Sequence, residues 1–296
     1  MDHIKSAIGK KIRSTRINKG LTQADICDDE SEFTLRQLAR IENGQAMVTI
    51  PKLLFLAKKL EIPIQDLVDI EKIEIPKRYL ELKNRLIKSH TYGDKERIAK
   101  QEEIFDEIYN NYYDFLPEEE QLLVEALQVQ LNVFTSRDIG FALGFLEEYF
   151  QQILTKKNYS YNDLLIVYVY FTCCAMGLED KEYFDELSKK VLLHVDYSDL
   201  EKLYLVERVL LSILVQVDPT EYLIYTKIFR EIMKESNHFQ HKPVVYVFEA
   251  KYYLDIEQNK NKTIESYDKA IMFAKMLNDE VLARNIEIEK KNDLTT

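Results

Sequence analysis

Apolar positions recur three and four residues apart along almost the whole chain, and strand-like runs bounded by turn clusters are scarce. Ile4, Ile8, Ile12 and Ile17 form a first helical stripe with Lys10, Lys11 and Arg13 off it, and Gly20 marks its stop. Thr22 is placed to cap a second short helix through Ile26, and Thr34 a third that runs to Asn43-Gly44, a strong C-terminal stop. On that third helix, at about 100° per residue, Leu35, Leu38 and Ile41 share one arc and are expected to face inward, while Arg36, Gln37 and Arg40 share another on the far side. Residues 62–68 read as a last short helix of the N-terminal region. The stretch 69–76 loses helical periodicity and ends in Pro76, which predicts a linker. Eleven further helices are predicted, over 77–89, 94–115, 117–135, 137–157, 160–177, 179–195, 198–217, 219–236, 242–258, 261–277 and 279–292. The expected class is all-α, and short connections between so many helices suit paired hairpins.

Composition fits that picture: 296 residues at 46% hydrophobic can bury a real core, and seven glycines and six prolines are few. The net charge of −11 is unevenly spread. Residues 1–70 hold 11 Lys/Arg against 10 Asp/Glu, so the acidity belongs to the remainder. Lys5, Lys10, Lys11, Arg13, Arg16 and Lys19 face only Asp2 within the first twenty residues, which makes either a surface for a phosphate backbone or a solvated basic helix. An acidic body repels DNA and leaves phosphate contact to the N-terminal region. Cys27, Cys173 and Cys174 form no disulfide framework, and no apolar leader follows the first charges, so a reducing, cytoplasmic setting is expected. The uncharged run Leu164 to Leu178, 15 residues with Tyr168, Tyr170 and Phe171 among them, is too short and polar for a bilayer and predicts a buried core helix.

The outward residues of the third helix are of the types that read bases: Arg pairs bidentately with guanine and Gln with adenine. A solvated polar face is the competing reading of that helix alone. The wider run Ile8-Gly9, Ile12-Arg13, Arg16, Gly20-Leu21-Thr22-Gln23-Ala24-Asp25-Ile26, Leu38-Ala39-Arg40-Ile41-Glu42-Asn43-Gly44, Leu53, Leu56-Ala57 and Leu60 resembles the helix-turn-helix of the Xre/Cro and phage-repressor family, a lambda-repressor-like fold. The resemblance implies DNA contacts from Gln23, Thr34, Arg36, Gln37, Arg40 and Asn43, and a structural ion pair between Arg16 and Glu42. Glu42 lies on the inward arc, where a carboxylate needs a partner. The usual small turn before the third helix is replaced by Cys27-Asp28-Asp29-Glu30-Ser31-Glu32-Phe33, whose acids oppose DNA approach.

Near the C-terminus, Pro243, Tyr246, Ala250, Tyr253, Tyr267, Ala270 and Ala274 resemble a degenerate tetratricopeptide unit, in which small residues let helices approach and tyrosines fill the gap. Such hairpins stack into a right-handed superhelix whose concave face suits an extended peptide. Over its full length the sequence resembles the Rgg family of peptide-responsive regulators, its ComR-type competence branch in particular. The supporting segments are Thr34 to Leu38, Lys83 to Lys88, Thr91-Tyr92, Leu116 to Glu120, Asn162 to Leu164, Lys242-Pro243 and Ser266 to Ala270. The resemblance implies a transcriptional activator on a palindromic promoter in double-stranded DNA, controlled by a short hydrophobic imported peptide pheromone and dimerising on activation. It divides the chain into a DNA-binding domain 1–68, a linker 69–76, a tetratricopeptide-like peptide-binding domain 77–278 and a capping and dimerisation helix 279–296. Implied peptide-binding positions are Thr91, Gly93, Gln101, Glu207 and Val244. Relatives place polar or basic residues at the last four, so a different peptide is expected here.

If Arg36 or Arg40 is held by carboxylates of the acidic body without ligand, the same charge cannot reach phosphate or guanine. Three alternatives remain: a paralogue of the same type that controls bacteriocin or other genes, a repressor that needs no ligand, and a tetratricopeptide adaptor that inhibits a partner protein. No enzyme, cofactor, metal or membrane association is expected. His3, His90, His194, His238 and His241 have no partnered nucleophile, the three-residue spacing of His238 and His241 supplies only two imidazoles, and no Gly-rich phosphate loop is present.

Overall fold

The computed structural model describes residues 2–67, 75–193 and 195–295; the side chains of residues 2–4 fall outside the description, as do most of the predicted linker, Val68 and His194. The described residues form α-helices joined by short connections, with three single-turn 3-10 segments and no β-strand. They divide into two compact units, Met1–Val169 and Tyr170–Thr296. The division falls within a helix of the body, whereas the expected domain limits follow the motifs.

The N-terminal region is α1 (Asp2–Asn18), α2 (Gln23–Cys27), α3 (Leu35–Glu42) and α4 (Ile50–Lys59), followed by a 3-10 turn at Ile64–Asp66 where a short helix was expected. Thr22 and Thr34 begin their helices as reciprocal capping boxes. Thr22 pairs with Asp25 and Thr34 with Gln37, so two otherwise orphaned N–H groups are satisfied at each start. Ile8, Ile12, Ile26, Phe33, Leu38, Ile41, Met47, Leu53 and Leu56 make the core. Ile17 departs from the predicted stripe and stays 54% exposed; five residues beyond Ile12, it has turned away from the buried face. Gly9 sets how closely α1 can lie on α3, since a Cβ there would stand 2.0 Å from the Ile41 carbonyl oxygen. Burial pushes the Cys27 thiol up to about 12, so it packs as a small hydrophobe.

The body of the first unit holds α5 (Lys77–Lys88), α6 (Lys95–Asn111), α7 (Glu118–Ser136) and α8 (Gly140–Thr155). Glu120 of α7 ties down α5, accepting from Tyr79 Oη at 2.6 Å and Lys83 Nζ at 2.8 Å. Next comes α9 (Tyr161–Ala175), which carries the uncharged run; Leu164 to Phe171, Cys173 and Cys174 are all buried. The second unit continues through α10 (Phe184–Leu193), α11 (Leu200–Leu214), α12 (Tyr222–Ser236), α13 (Lys242–Asp255), α14 (Lys260–Met276) and α15 (Glu280–Thr295). From α11 onward each helix packs on the next in sequence, as stacked hairpins require. Ala250, Ala270 and Ala274 are fully buried where α13 meets α14, and Tyr267 fills the gap, donating to Asp293 of α15 at 2.5 Å. No helix among the described residues is long and apolar enough to cross a membrane.

Gly9→Ala is expected to destabilise the protein by about 1–3 kcal/mol, because the added methyl must push α1 off a backbone carbonyl that cannot yield as a side chain would. Chemical denaturation of the two proteins side by side checks this; an unchanged midpoint would mean that the α1–α3 approach is looser than described.

Candidate nucleic-acid interface

On α3 the buried arc is centred on Leu38 and Ile41, and its edges differ from expectation. Leu35 is 45% exposed, whereas Gln37 is buried. The reason is angular: Gln37 lies about 40° from Ile41 around the axis but about 100° from Arg36. Its amide oxygen accepts from Thr34 N at 2.9 Å and its own N–H donates to Thr34 Oγ1 at 3.1 Å. Thr34 and Gln37 therefore start the helix, and neither offers a side chain to a groove in this conformation.

Arg36 and Arg40, four residues apart, project from one face of α3. Both are engaged by carboxylates of the body in the same unit. Arg36 donates to Glu148 of α8. Arg40 donates to Glu125 of α7 at 3.2 Å, to Gln121 at 2.9 Å and to Tyr113 Oη at 3.1 Å, while Tyr113 Oη donates to Glu125 in turn. The two sites differ in depth: the Arg36 side chain is 64% exposed, that of Arg40 only 15%. Burial works against the Arg40 charge, but the bond to Tyr113 and the charge of Glu125 outweigh it and hold the guanidinium protonated. Burial also raises the Glu148 carboxyl above its ordinary value, with Tyr149 and Arg36 pulling the other way, so removing Arg36 leaves a half-buried anion poorly matched.

Around these arginines the N-terminal region is fastened to the body at further points. Met47 N donates to the Leu116 carbonyl at 3.3 Å and Glu118 N donates to the Met47 carbonyl, a single parallel bridge that involves backbone alone. Lys52 of α4 reaches Glu118 at 3.0 Å, a pair almost wholly buried, and lies over the Phe33 ring. Lys5 donates to the Asp114 carbonyl and covers Phe115, so it is withdrawn from the basic end.

The other positions sort differently. Arg16 grips Glu42 with two prongs, Nε at 2.5 Å and Nη2 at 2.8 Å, and Gln23 donates to the same carboxylate at 2.8 Å. Gln23 is thereby half-buried and occupied. Asn43 is exposed, next to Arg13, and Lys10 and Lys11 are exposed on α1. Of the residues expected to bind peptide, Thr91, Gly93 and Gln101 belong to the first unit. Thr91 and Gly93 lie in the connection before α6, with Gly93 at φ +76°, and Gln101 is buried and donates to Ser89. Val244 is half-buried on α13 of the second unit. Glu207, on α11, is fully buried with both oxygens bonded inside the second unit, by Ser236 on one side and His238 and His241 on the other. As placed, it presents no carboxylate to a peptide.

Residues 76–290 match the family described as ComR tetratricopeptide, and residues 9–73 match a helix-turn-helix domain. The chain belongs to the ComR family. Among solved structures, the apo competence regulator ComR from Streptococcus vestibularis is 36% identical, with 98% of each chain covered and a TM-score of 0.81. Apo ComR from S. thermophilus is 32% identical over 98% of this chain and 100% of the other, at 0.85. The S. thermophilus protein in complex with DNA and its signalling peptide ComS is 32% identical over 97% and 99%, at 0.70. A search of curated proteins finds no match.

In this ComR-family chain the partners of Arg36 and Arg40 escape sequence reasoning. The acidity of the body points to carboxylates in general, but nothing local distinguishes Glu125 and Glu148 from other glutamates on α7 and α8. Magnitudes separate them. A pair with one partner exposed, such as Arg36–Glu148, contributes about 0.2–1 kcal/mol, whereas hydrogen bonds to a charged, largely buried group such as Arg40 contribute about 1.5–3 kcal/mol. Glu125→Gln is therefore expected to tighten binding of the unliganded protein to duplex DNA by about tenfold, and Glu148→Gln by less than about fivefold. Fluorescence anisotropy with a labelled duplex measures both; equal or absent effects would remove Arg40 as the main point of restraint.

Proposed function

We propose that this protein is a DNA-binding transcriptional regulator of the competence type, held inactive through Arg36 and Arg40 and released by a short hydrophobic imported peptide. The observation that carries the proposal is that the two arginines best placed to read DNA are both bound to acidic side chains of the body. A guanidinium so paired cannot also clasp guanine or phosphate. Supporting the ligand assignment, the S. thermophilus relative was solved with DNA and ComS, and the S. vestibularis relative with its cognate peptide XIP.

On release, α3 enters the major groove with Arg36 and Arg40 at base edges, while Lys10, Lys11, Arg13 and Asn43 contact phosphates. Gln23 joins them by exchanging Glu42 for the DNA backbone. A palindromic promoter places two such helices about 34 Å apart, so the active species is a homodimer, with α15 as its expected dimerisation element. The peptide must favour the open state by about 5.5 kcal/mol to move the population from 1:99 to 99:1. Thr91, Gly93, Gln101 and Val244 are the peptide contacts proposed. Glu207 acts from within the fold.

The test is a gel shift on the promoter at fixed salt, with and without synthetic peptides encoded by small open reading frames beside the gene. The cognate peptide is expected to promote binding, and Arg36→Glu to lower the peptide-bound affinity at least tenfold, since a bidentate base contact contributes about 1–3 kcal/mol and the substitution reverses the charge. Unaltered promoter binding by Arg36→Glu would reject its role, and full binding without any peptide would favour a ligand-independent repressor.

A further inference from the structure

The second unit contains a cluster of titratable side chains around Glu207. Glu207 Oε2 lies 2.7 Å from His238 Nδ1 and 2.8 Å from His241 Nδ1, and Ser236 Oγ donates to Oε1 at 2.9 Å. The three residues come from separate places in the chain. Glu207 is on α11, His238 in the connection after α12, and His241 at the N-cap of α13. Donor atoms from all three lie within 4.8 Å of one another. Glu207 and His241 are fully buried, and the His238 side chain is 26% exposed, which leaves one side open to solvent.

Donor chemistry points the same way. Both imidazoles face the same Glu207 carboxylate oxygen through Nδ1. Two imidazole nitrogens and one carboxylate oxygen are a three-ligand set for a borderline divalent ion, with water as the fourth ligand. Hard Ca²⁺ and Mg²⁺ prefer sets made of oxygen. Zn–N and Zn–O bonds of about 2.0–2.2 Å in tetrahedral geometry place donor atoms about 3.3 Å apart. The present hydrogen-bonded separations need to open by only about 0.5 Å. A metal ion takes the Nδ1 lone pair of each neutral ring, and the ring proton is then carried on Nε2.

We propose that Glu207, His238 and His241 form a binding site for a divalent transition-metal ion, zinc being the best fit, which fastens α11 to the connection leading into α13. The His238/His241 spacing alone lacks the third donor, and only the fold supplies Glu207.

The full-length protein, stripped with a chelator and exchanged into chelator-free buffer near neutral pH, is titrated with Co²⁺ alone and then with Zn²⁺ alone. The expected result is a tetrahedral Co²⁺ visible spectrum that saturates at one equivalent and is displaced by Zn²⁺, with Zn²⁺ raising the thermal midpoint. His238→Gln, at the partly exposed position, keeps the helical circular dichroism and is expected to lower metal affinity at least tenfold, taking the loss for an outer partner as the floor. Glu207→Gln is expected to do the same. No Co²⁺ spectrum and no thermal shift in the wild-type protein would overturn the proposal, leaving a purely hydrogen-bonded cluster. An undiminished signal in His238→Gln would overturn it equally, by placing the metal elsewhere.

Discussion

A guanidinium group can satisfy one set of anionic partners at a time, and this exclusivity organises the first unit. Arg40 has five donors on a rigid planar fork, and the body occupies that fork with Glu125, Gln121 and the Tyr113 hydroxyl. A lysine at this position would be a point charge, more easily shared with solvent. Because the side chain is largely buried, its charge must be matched wherever it points, and a competing anion displaces these partners only by offering an equally complete set of acceptors.

A second buried charge, Glu42, makes the head itself rigid enough for this to matter. The two-pronged bond from Arg16 and the third bond from Gln23 compensate the desolvation of a carboxylate in the middle of the core. With α1 lying on α3 at Gly9 and the capping boxes fixing the starts of α2 and α3, the head is braced internally. Repulsion of DNA by the acidic turn at Asp28 to Glu32 is softened at one point, where Lys59 pairs with Asp28 at 3.1 Å.

Much of this was legible in the order of residues. Thr22 and Thr34 announced two helix starts, Asn43-Gly44 a stop, and the small residues Ala250, Ala270 and Ala274 the place where α13 and α14 approach, because each rests on local geometry. Arg16 and Glu42, 26 residues apart, were legible only through the family pattern. Gln37 is buried where the helical arc puts it outward, because a residue on the border of an arc is settled by its neighbours, here by Thr34, and no wheel contains them. Glu125, Glu148 and Glu118 were illegible individually: their partners lie 66 to 112 residues away in the chain. The family pattern makes Glu207 a peptide-binding position, and only the fold sets His238 and His241 against it.

The bridge between Met47 and the Leu116–Glu118 segment uses only main-chain amides and carbonyls, so it is indifferent to which side chains stand at those positions. Promoter preference resides in side chains, whereas this part of the attachment resides in the polypeptide itself. Substitutions at Met47, Leu116 or Glu118 thus leave this bridge in place over evolutionary time, whereas the contacts of Arg36 and Arg40 change with the residues that make them.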